Sequence, residues 1–194
     1  MAQKLIPTPA QTVGPFFHIG LARPEWSDLT AQNPKGDRIA IAGRVIDADG
    51  AAVPDALIEL WQANAAGRYD HPDDTQADKP IDANFRGYGR SATDTEGKYR
   101  FVTIKPGPVP GRGNALQAPH VNLAIFARGM LKQLYTRVYF AEEPGNGNDP
   151  LLSAIDDAAA RKTLIATRDG ATTPPTYSFD IVLQGDGETV FLDI

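Results

Sequence analysis

The sequence contains no cysteine and only three histidines, and these shortages limit the chemistry open to it. The absence of cysteine excludes disulfide scaffolds, thiolate nucleophiles, iron–sulfur clusters and thiolate zinc sites. His18, His71 and His120 are widely spaced and form neither an HExxH nor an HxH pattern. Any metal must therefore be bound by nitrogen and oxygen donors, and this chain alone cannot assemble a histidine-rich site.

Clustered positive charge and long apolar runs are also missing. The formal net charge is −5 and no run of lysine and arginine occurs, so nothing indicates binding to nucleic acid or to an anionic membrane. No stretch approaches the roughly 20 apolar residues that cross a bilayer, and residues 1–10 have no apolar signal core. We therefore expect a cytoplasmic protein.

Glycine and proline, in contrast, are abundant. The 18 glycines and 16 prolines make up about one residue in six, which favours many turns between short strands. A chain of 194 residues suits one domain, so we predict a single domain over residues 1–194. Several prolines break any helical pattern in residues 1–37, which we predict to be an extended arm, with the body over residues 38–194.

The body shows several strand patterns and one helix pattern. Apolar alternation and turn residues predict a hairpin-like pair at 38–47 and 53–62, strands at 98–104, 120–126 and 131–140, and a final hairpin at 176–183 with 189–192. Helical spacing predicts one short helix over 150–164, capped by Asp149. These elements predict an all-β fold, a β-sandwich of short antiparallel strands.

Three positions have the chemistry of a metal site. Tyr69 ends a glycine-bearing loop and is either a phenolate ligand or a packed loop tyrosine. His120 and Asn122 lie two apart on a predicted strand and so face the same side. The amide of Asn122 is a poor donor for a hard metal, so a hydrogen-bonded structural histidine is the alternative.

Two further features allow a functional and a structural interpretation. Asp70, Asp73 and Asp74 resemble a carboxylate site but lack EF-hand spacing, and a solvated loop is the simpler interpretation. Arg128 ends an apolar run, where its fork of donors suits a planar carboxylate or, alternatively, an ordinary surface ion pair.

Taken together, ordered motifs resemble the intradiol ring-cleaving dioxygenases. They cover the arm and nearly all of the chain, at residues 11–16, 61–69, 103–108, 118–122 and 184–194. The resemblance implies a β-sandwich enzyme family in which two tyrosines and two histidines hold a non-haem ferric ion that adds dioxygen across a catechol.

The chain departs from the catalytic members at three positions of that site. Val109 stands where the second tyrosine would be, Asn122 where the second histidine would be, and Gln117 where an arginine would stabilise charge. Tyr69 and His120 remain at the other two. The resemblance therefore implies a vestigial site with no catalytic residue, no metal and no cofactor in this chain.

This departure resembles a noncatalytic α subunit of the family. Such a subunit pairs, in a hetero-oligomer of αβ units, with an Fe³⁺-bearing β subunit of the same fold that cleaves protocatechuate, and it forms part of the wall of the β pocket. The matching wall residues, all present here, are Thr12, Gly14, Pro15 and Arg128.

Two other hypotheses stay open. One is a self-sufficient intradiol dioxygenase with a variant metal site that uses Asn122 or Asp70 as a ligand. The other is a β-sandwich binding module without enzymatic activity.

Overall fold

Strands dominate the computed structural model, which describes residues 8–113 and 115–193. The described strands, in chain order, are β1 (Arg38–Ile46), β2 (Leu57–Trp61), β3 (Tyr88–Ala92), β4 (Lys98–Ile104), β5 (Val109–Pro110), β6 (Leu116–Gln117), β7 (His120–Phe126), β8 (Leu134–Phe140), β9 (Ile165–Asp169), β10 (Thr176–Ser178) and β11 (Ile181–Val182). The described α-helices are α1 (Pro15–Leu21), α2 (Pro150–Ser153) and α3 (Ala158–Lys162).

The strands form two layers. In one, β1 pairs with β4 antiparallel and with β10 and β11 parallel. In the other, β7 lies between β2 and β8, antiparallel to both, and β3 lies outside β2. Strand β9 belongs to both layers, since its first residues pair parallel with β8 and its last residues pair antiparallel with β10. The short pair β5–β6 stands apart.

The apolar faces of the two layers pack against each other. Ile41 and Phe101 from one layer and Leu60, Leu123 and Phe140 from the other are at most 1% exposed and belong to one cluster. Each such side chain contributes about 1.5–3 kcal/mol through burial. This packing of two strand layers agrees with the predicted all-β sandwich.

The pairing of the strands differs from the sequence prediction. The predicted hairpin of 38–47 with 53–62 does not form as a strand pair, because β1 pairs with β4 and β2 pairs with β7 and β3. The two segments are joined only near the turn, by the bridge of Ile46 with Ala52 and the hydrogen bond from the backbone N–H of Val53 to the carbonyl oxygen of Val45. The predicted final hairpin is replaced by β10 and β11, which both run parallel to β1. Turn residues fix where a chain bends, but packing between distant segments fixes which strands pair.

The helices also differ from the single one predicted at 150–164. The side chain of Asp149 caps α2 as expected, accepting from the backbone N–H groups of Leu151 and Leu152. The helix ends at Ser153, and Asp157 caps α3 as a new start. The arm, predicted to be extended, contains α1, which begins at Pro15 because proline suits the first turn of a helix. No described helix is long and apolar enough to cross a membrane.

Candidate functional site

The start of β7 carries the histidine and asparagine singled out in the sequence. His120 is opposite Tyr139 of β8, and Asn122 is opposite Arg137 of the same strand. On its other side Asn122 is opposite Trp61, the last residue of β2. Residues directly opposite on neighbouring strands lie within contact distance, so the register alone gathers these side chains.

Close backbone approach brings the loop of Tyr69 to the same place. Gly67 has φ 79°, and a Cβ there would lie 2.0 Å from the carbonyl oxygen of Pro108. The backbone of Gly107 packs as tightly on residues 65–67, where a Cβ would lie 2.5 Å from the carbonyl oxygen of Ala65. Glycine at both positions therefore allows the Tyr69 loop to contact the segment that leads into Val109.

A cleft of about 480 Å³ opens between these segments. Its lining includes Trp61, Tyr69, Val109, Asp73 and Asp74. The volume is sufficient for a small organic molecule, since ligand pockets measure roughly 300–1,000 Å³. Where the resemblance calls for a second tyrosine, Val109 presents a buried side chain with no donor atom.

Tyr69 is held as a neutral phenol. Its ring stacks on Trp61 with a centroid distance of 6.0 Å, and its hydroxyl oxygen accepts a hydrogen bond of 3.3 Å from Nδ2 of Asn122. Burial raises the pKa of Tyr69 above its ordinary value, and this effect exceeds the lowering by Asn122 and by the charge of Arg137. A ferric ion bound to the phenolate would have to offset this effect.

His120 is a neutral buried imidazole. It is 3% exposed, and Nδ1 donates to the carbonyl oxygen of Ala118 at 2.8 Å, since a carbonyl can only accept. Burial and the charge of Arg137 lower the pKa of His120 to about 4. Its ring packs against Tyr139 at a centroid distance of 5.6 Å. These contacts are compatible with the structural histidine that the sequence left as an alternative.

Arg137 lies at the centre of these groups, and the sequence analysis missed it. Its Nε donates to Oδ1 of Asn122 at 3.0 Å, and its Nη1 donates to Oε1 of Gln117 at 2.6 Å and to the hydroxyl of Tyr139 at 3.4 Å. The signal that could have found it is register, because an arginine inside the apolar strand β8 becomes notable once it is placed opposite Asn122.

The network continues from Tyr139 to Asp149. The hydroxyl of Tyr139 donates to Oδ1 of Asp149 at 3.0 Å, and the carboxylate of Asp149 is fully buried. Oδ2 of Asp149 accepts from the backbone N–H of Ala118 at 2.9 Å. We call the connected side chains of Tyr69, Asn122, Arg137, Gln117, Tyr139 and Asp149 the Arg137 network.

These residues do not fit the ferric ion that the resemblance implies for catalytic members. Within residues 8–113 and 115–193, no group of three or more histidine, aspartate or glutamate side chains could hold a metal. Tyr69 and His120 remain two isolated donors, while the oxygen of Asn122 faces a guanidinium cation. Two donors and a neighbouring cation are a poor site for a trivalent metal.

The acidic loop is structural in its contacts. Asp74 accepts hydrogen bonds from the backbone N–H groups of Tyr69 at 2.7 Å and of Gln76 at 3.1 Å. Burial of Asp74 raises its pKa, but these bonds and those from the Gln76 side chain outweigh it, so the pKa of Asp74 is lowered. Asp70 and Asp73 are exposed. The loop therefore orders the backbone of Tyr69, as the solvated-loop interpretation requires.

The predicted wall residues lie in a second region, beyond the other end of β7. Oγ1 of Thr12 accepts a hydrogen bond of 2.7 Å from the backbone N–H of Gly129, which ties the arm to the neighbour of Arg128. Arg128 has a 57% exposed side chain and contacts Asp55, with Nη2 2.6 Å from Oδ2. Close by, Phe17 of α1 packs on Phe126 at a centroid distance of 5.3 Å.

The remaining arm positions continue this region. The carbonyl oxygen of Gly14 accepts from the backbone N–H of Phe17 at 3.1 Å, and α1 starts at Pro15. Phe16 and Ile19 are 82% and 70% exposed, so α1 presents apolar side chains to its surroundings. The structure brings Thr12 close to Arg128 through Gly129, and their role toward a substrate stays a prediction.

Comparison with known proteins identifies the family. A family model described as dioxygenase matches residues 14–185. The chain belongs to the intradiol dioxygenase family. It is 38% identical to the protocatechuate 3,4-dioxygenase alpha chain of Pseudomonas putida, with both chains covered in full. It is 40% identical to the beta chain of the same enzyme from Burkholderia cepacia, covering 93% of this chain and 77% of that one.

A solved intradiol relative supports the fold. The dioxygenase domain of a dioxygenase–carbohydrate-binding fusion from Streptomyces sp. SirexAA-E superposes with a TM-score of 0.62 at 27% identity, covering 93% of this chain and 99% of that one. The predicted all-β class is thereby confirmed, and membership of the family supports oxidoreductase chemistry in general. The similar identities to alpha and beta chains do not separate the two roles, so that distinction depends on the site.

Proposed function

We propose that this chain is the noncatalytic α subunit of a protocatechuate 3,4-dioxygenase. In this proposal it pairs in the cytoplasm with a β subunit of the same fold, whose Fe³⁺ centre cleaves 3,4-dihydroxybenzoate with O₂ to 3-carboxy-cis,cis-muconate. This chain contributes a wall to the partner's pocket and holds no iron of its own. The similarity to protocatechuate 3,4-dioxygenase chains supports the choice of enzyme, and Val109 and Asn122, in place of two ligands, support the α role.

The observation that carries it is the separation of two regions along β7. The vestigial positions His120 and Asn122 lie at the start of the strand, whereas Arg128 follows its end at Phe126. Eight residues of extended chain span roughly 25 Å, at a rise of ~3.3 Å per residue. Arg128 therefore lies too far away to line the cleft beside Tyr69, so a substrate that it contacts would lie outside that cleft, as a pocket shared with another subunit allows.

The chemistry of the wall suits an aromatic acid. Arg128 is exposed, and its planar guanidinium, although its Nη2 contacts Asp55, has five donors and so can bind a second carboxylate. The exposed apolar residues of α1, Phe16 and Ile19, beside it are suited to burial against another subunit. A pocket shared between subunits would use the wall to orient the ring and exclude water.

Purification of the chain alone and with its β partner tests the proposal. We expect negligible iron and no ring cleavage for the chain alone, and both iron and activity for the complex. Iron content is measured by atomic absorption and cleavage by oxygen uptake with protocatechuate. Stoichiometric iron together with cleavage by this chain alone would refute the noncatalytic role.

The self-sufficient alternative makes a different prediction for Tyr69. If this chain held its own iron, Tyr69→Phe would remove a ligand and release metal. In our proposal Tyr69→Phe leaves the iron content of the complex unchanged, because the hydroxyl of Tyr69 only accepts a hydrogen bond from Asn122 and binds no metal. The contacts favour our proposal, because Asn122 directs its oxygen to Arg137 and Asp70 is exposed.

A further inference from the structure

Two of the substituted positions share one partner. Gln117 and Asn122, which stand where catalytic relatives would have an arginine and a histidine, both direct a side-chain oxygen at the guanidinium of Arg137. The distances of 2.6 Å and 3.0 Å are those of good hydrogen bonds. An arginine at position 117 would instead place a second positive charge against Arg137, so the two substitutions and Arg137 are mutually compatible.

The orientation of the Asn122 amide is fixed by its neighbours. Nε of Arg137 can only donate, so Oδ1 of Asn122 must face it. Nδ2 then points to the carbonyl oxygen of Trp61 at 3.4 Å and to the hydroxyl of Tyr69 at 3.3 Å. The amide of Asn122 thereby links the hydroxyl of Tyr69 to the guanidinium of Arg137. Its oxygen faces the cation and its NH₂ group faces away, as a cation at the centre of the site would require.

We infer that the guanidinium of Arg137 is the resident cation of the vestigial pocket, and that it excludes a metal ion from it. In this view the positive charge in the pocket belongs to the side chain of Arg137 and not to a bound metal. The absence of ferric binding would then have two causes, the missing ligands and the charge of Arg137. This inference concerns residues of this chain alone and does not depend on the proposed pairing with a β subunit.

Arg137 is held firmly enough to act in this way. It is half-buried in β8, and Tyr139, which accepts a hydrogen bond from its Nη1, is itself anchored to the fully buried Asp149. Its hydrogen bonds to Asn122, Gln117 and Tyr139 fix the guanidinium beside Tyr69. A ferric ion entering beside it would meet a like charge.

Restoring the ligands with and without Arg137 tests the inference. Val109→Tyr with Asn122→His rebuilds the donor set next to Arg137, and the same pair combined with Arg137→Gln removes the cation but keeps hydrogen-bonding groups. Arg137→Gln alone is the matched control. Each full-length variant is titrated with ferric citrate, and bound iron is measured by atomic absorption and by the visible phenolate-to-iron charge-transfer band.

We expect the triple variant to bind ferric iron at least about tenfold more tightly than the double variant, because a juxtaposed like charge costs more than one decade in affinity. Arg137→Gln alone is expected to bind no iron, because two donors remain. Equal affinity of the double and triple variants would overturn the inference. So would failure of a folded triple variant to bind, or iron binding by Arg137→Gln alone.

Circular dichroism of each variant checks folding. If tyrosine at position 109 disturbs the fold, the comparison is made between Asn122→His and Asn122→His with Arg137→Gln. The second of these is expected to bind ferric iron at least severalfold more tightly than the first. Equal binding by these two would likewise overturn the inference.

Discussion

The fully buried carboxylate of Asp149 is expected to be a major contributor to stability. Its Oδ1 accepts from Tyr139 and from the backbone N–H groups of Leu151 and Leu152, and its Oδ2 accepts from the backbone N–H of Ala118. One side chain therefore caps α2, fixes the approach to β7 and anchors β8. Replacing it by alanine removes all four hydrogen bonds at once.

The magnitude for Asp149→Ala can be summed from these contacts. Loss of the helix cap costs ~1 kcal/mol. Leaving the N–H of Ala118 unsatisfied costs about 1–3 kcal/mol, and loss of the Tyr139 bond to a charged acceptor adds about 1.5 kcal/mol. We expect a total loss of about 4 kcal/mol in the free energy of unfolding, measured by urea denaturation.

Three matched variants separate the contributions. Asp157→Ala removes an exposed cap with one hydrogen bond, to the N–H of Ala159, and should cost ~1 kcal/mol or less. Tyr139→Phe should cost about 1–2 kcal/mol because it removes the hydroxyl bond to Asp149. Asp149→Asn should cost about 2–3 kcal/mol, since its NH₂ group would face the N–H of Ala118. A loss below ~1 kcal/mol for Asp149→Ala would refute this reasoning.

Three further perturbations have defined outcomes. The pKa of His120 is lowered from 6.5 to about 4, so between these pH values the unfolded state binds a proton that the folded state does not. The free energy of unfolding should therefore fall as the pH decreases from 6.5 to 4, by an amount on the order of 3 kcal/mol. His120→Gln should lose this pH dependence, and identical pH profiles of wild type and variant in urea denaturation would contradict the prediction. In the αβ complex, Arg128→Ala should raise KM for protocatechuate by about tenfold or more and change KM for catechol less, since a charge-assisted hydrogen bond is worth ~1–3 kcal/mol; equal effects on the two substrates would remove Arg128 from carboxylate recognition. Thr12→Val should speed hydrogen exchange of the Gly129 amide about fivefold, because its hydrogen bond is worth ~1 kcal/mol, and an unchanged rate would show that the arm is held by other contacts.

The strands that the sequence predicted best carry strong local signals. The bounds of β4 (Lys98–Ile104) and β7 (His120–Phe126) agree with the prediction, because both strands bury alternate side chains and follow turn or proline-bearing segments. Strand β3 (Tyr88–Ala92) was missed because it has little apolar alternation. It is held instead by pairing with β2, including the ion pair of Arg90 with Glu59 at 2.7 Å.

The candidate site was predictable only in part, for a related reason. Tyr69, His120 and Asn122 followed from residue chemistry and strand spacing, and Gln117 from motif resemblance, but neither source gives contacts. Arg137 belongs to none of those motifs, and an arginine in a strand looks like an ordinary solvent-facing residue until the register of β7 with β8 is known. Long-range pairing, which no local pattern specifies, thus decided the electrostatics of the pocket.

In the proposed α subunit, the two regions of β7 would let the chain lack a metal without disturbing the predicted wall. A pocket that simply lost its metal would leave buried polar groups without partners, and the strands around it would be destabilised. The Arg137 network supplies those partners and joins β7 to β8 at Asn122 and Arg137. Because the start of β7 is held in this way, its far end can keep Arg128 in position. Asp149→Ala should therefore lower the stability of the complex and leave KM for protocatechuate unchanged in the folded fraction. Arg128→Ala should instead raise KM for protocatechuate and leave the stability of the complex unchanged.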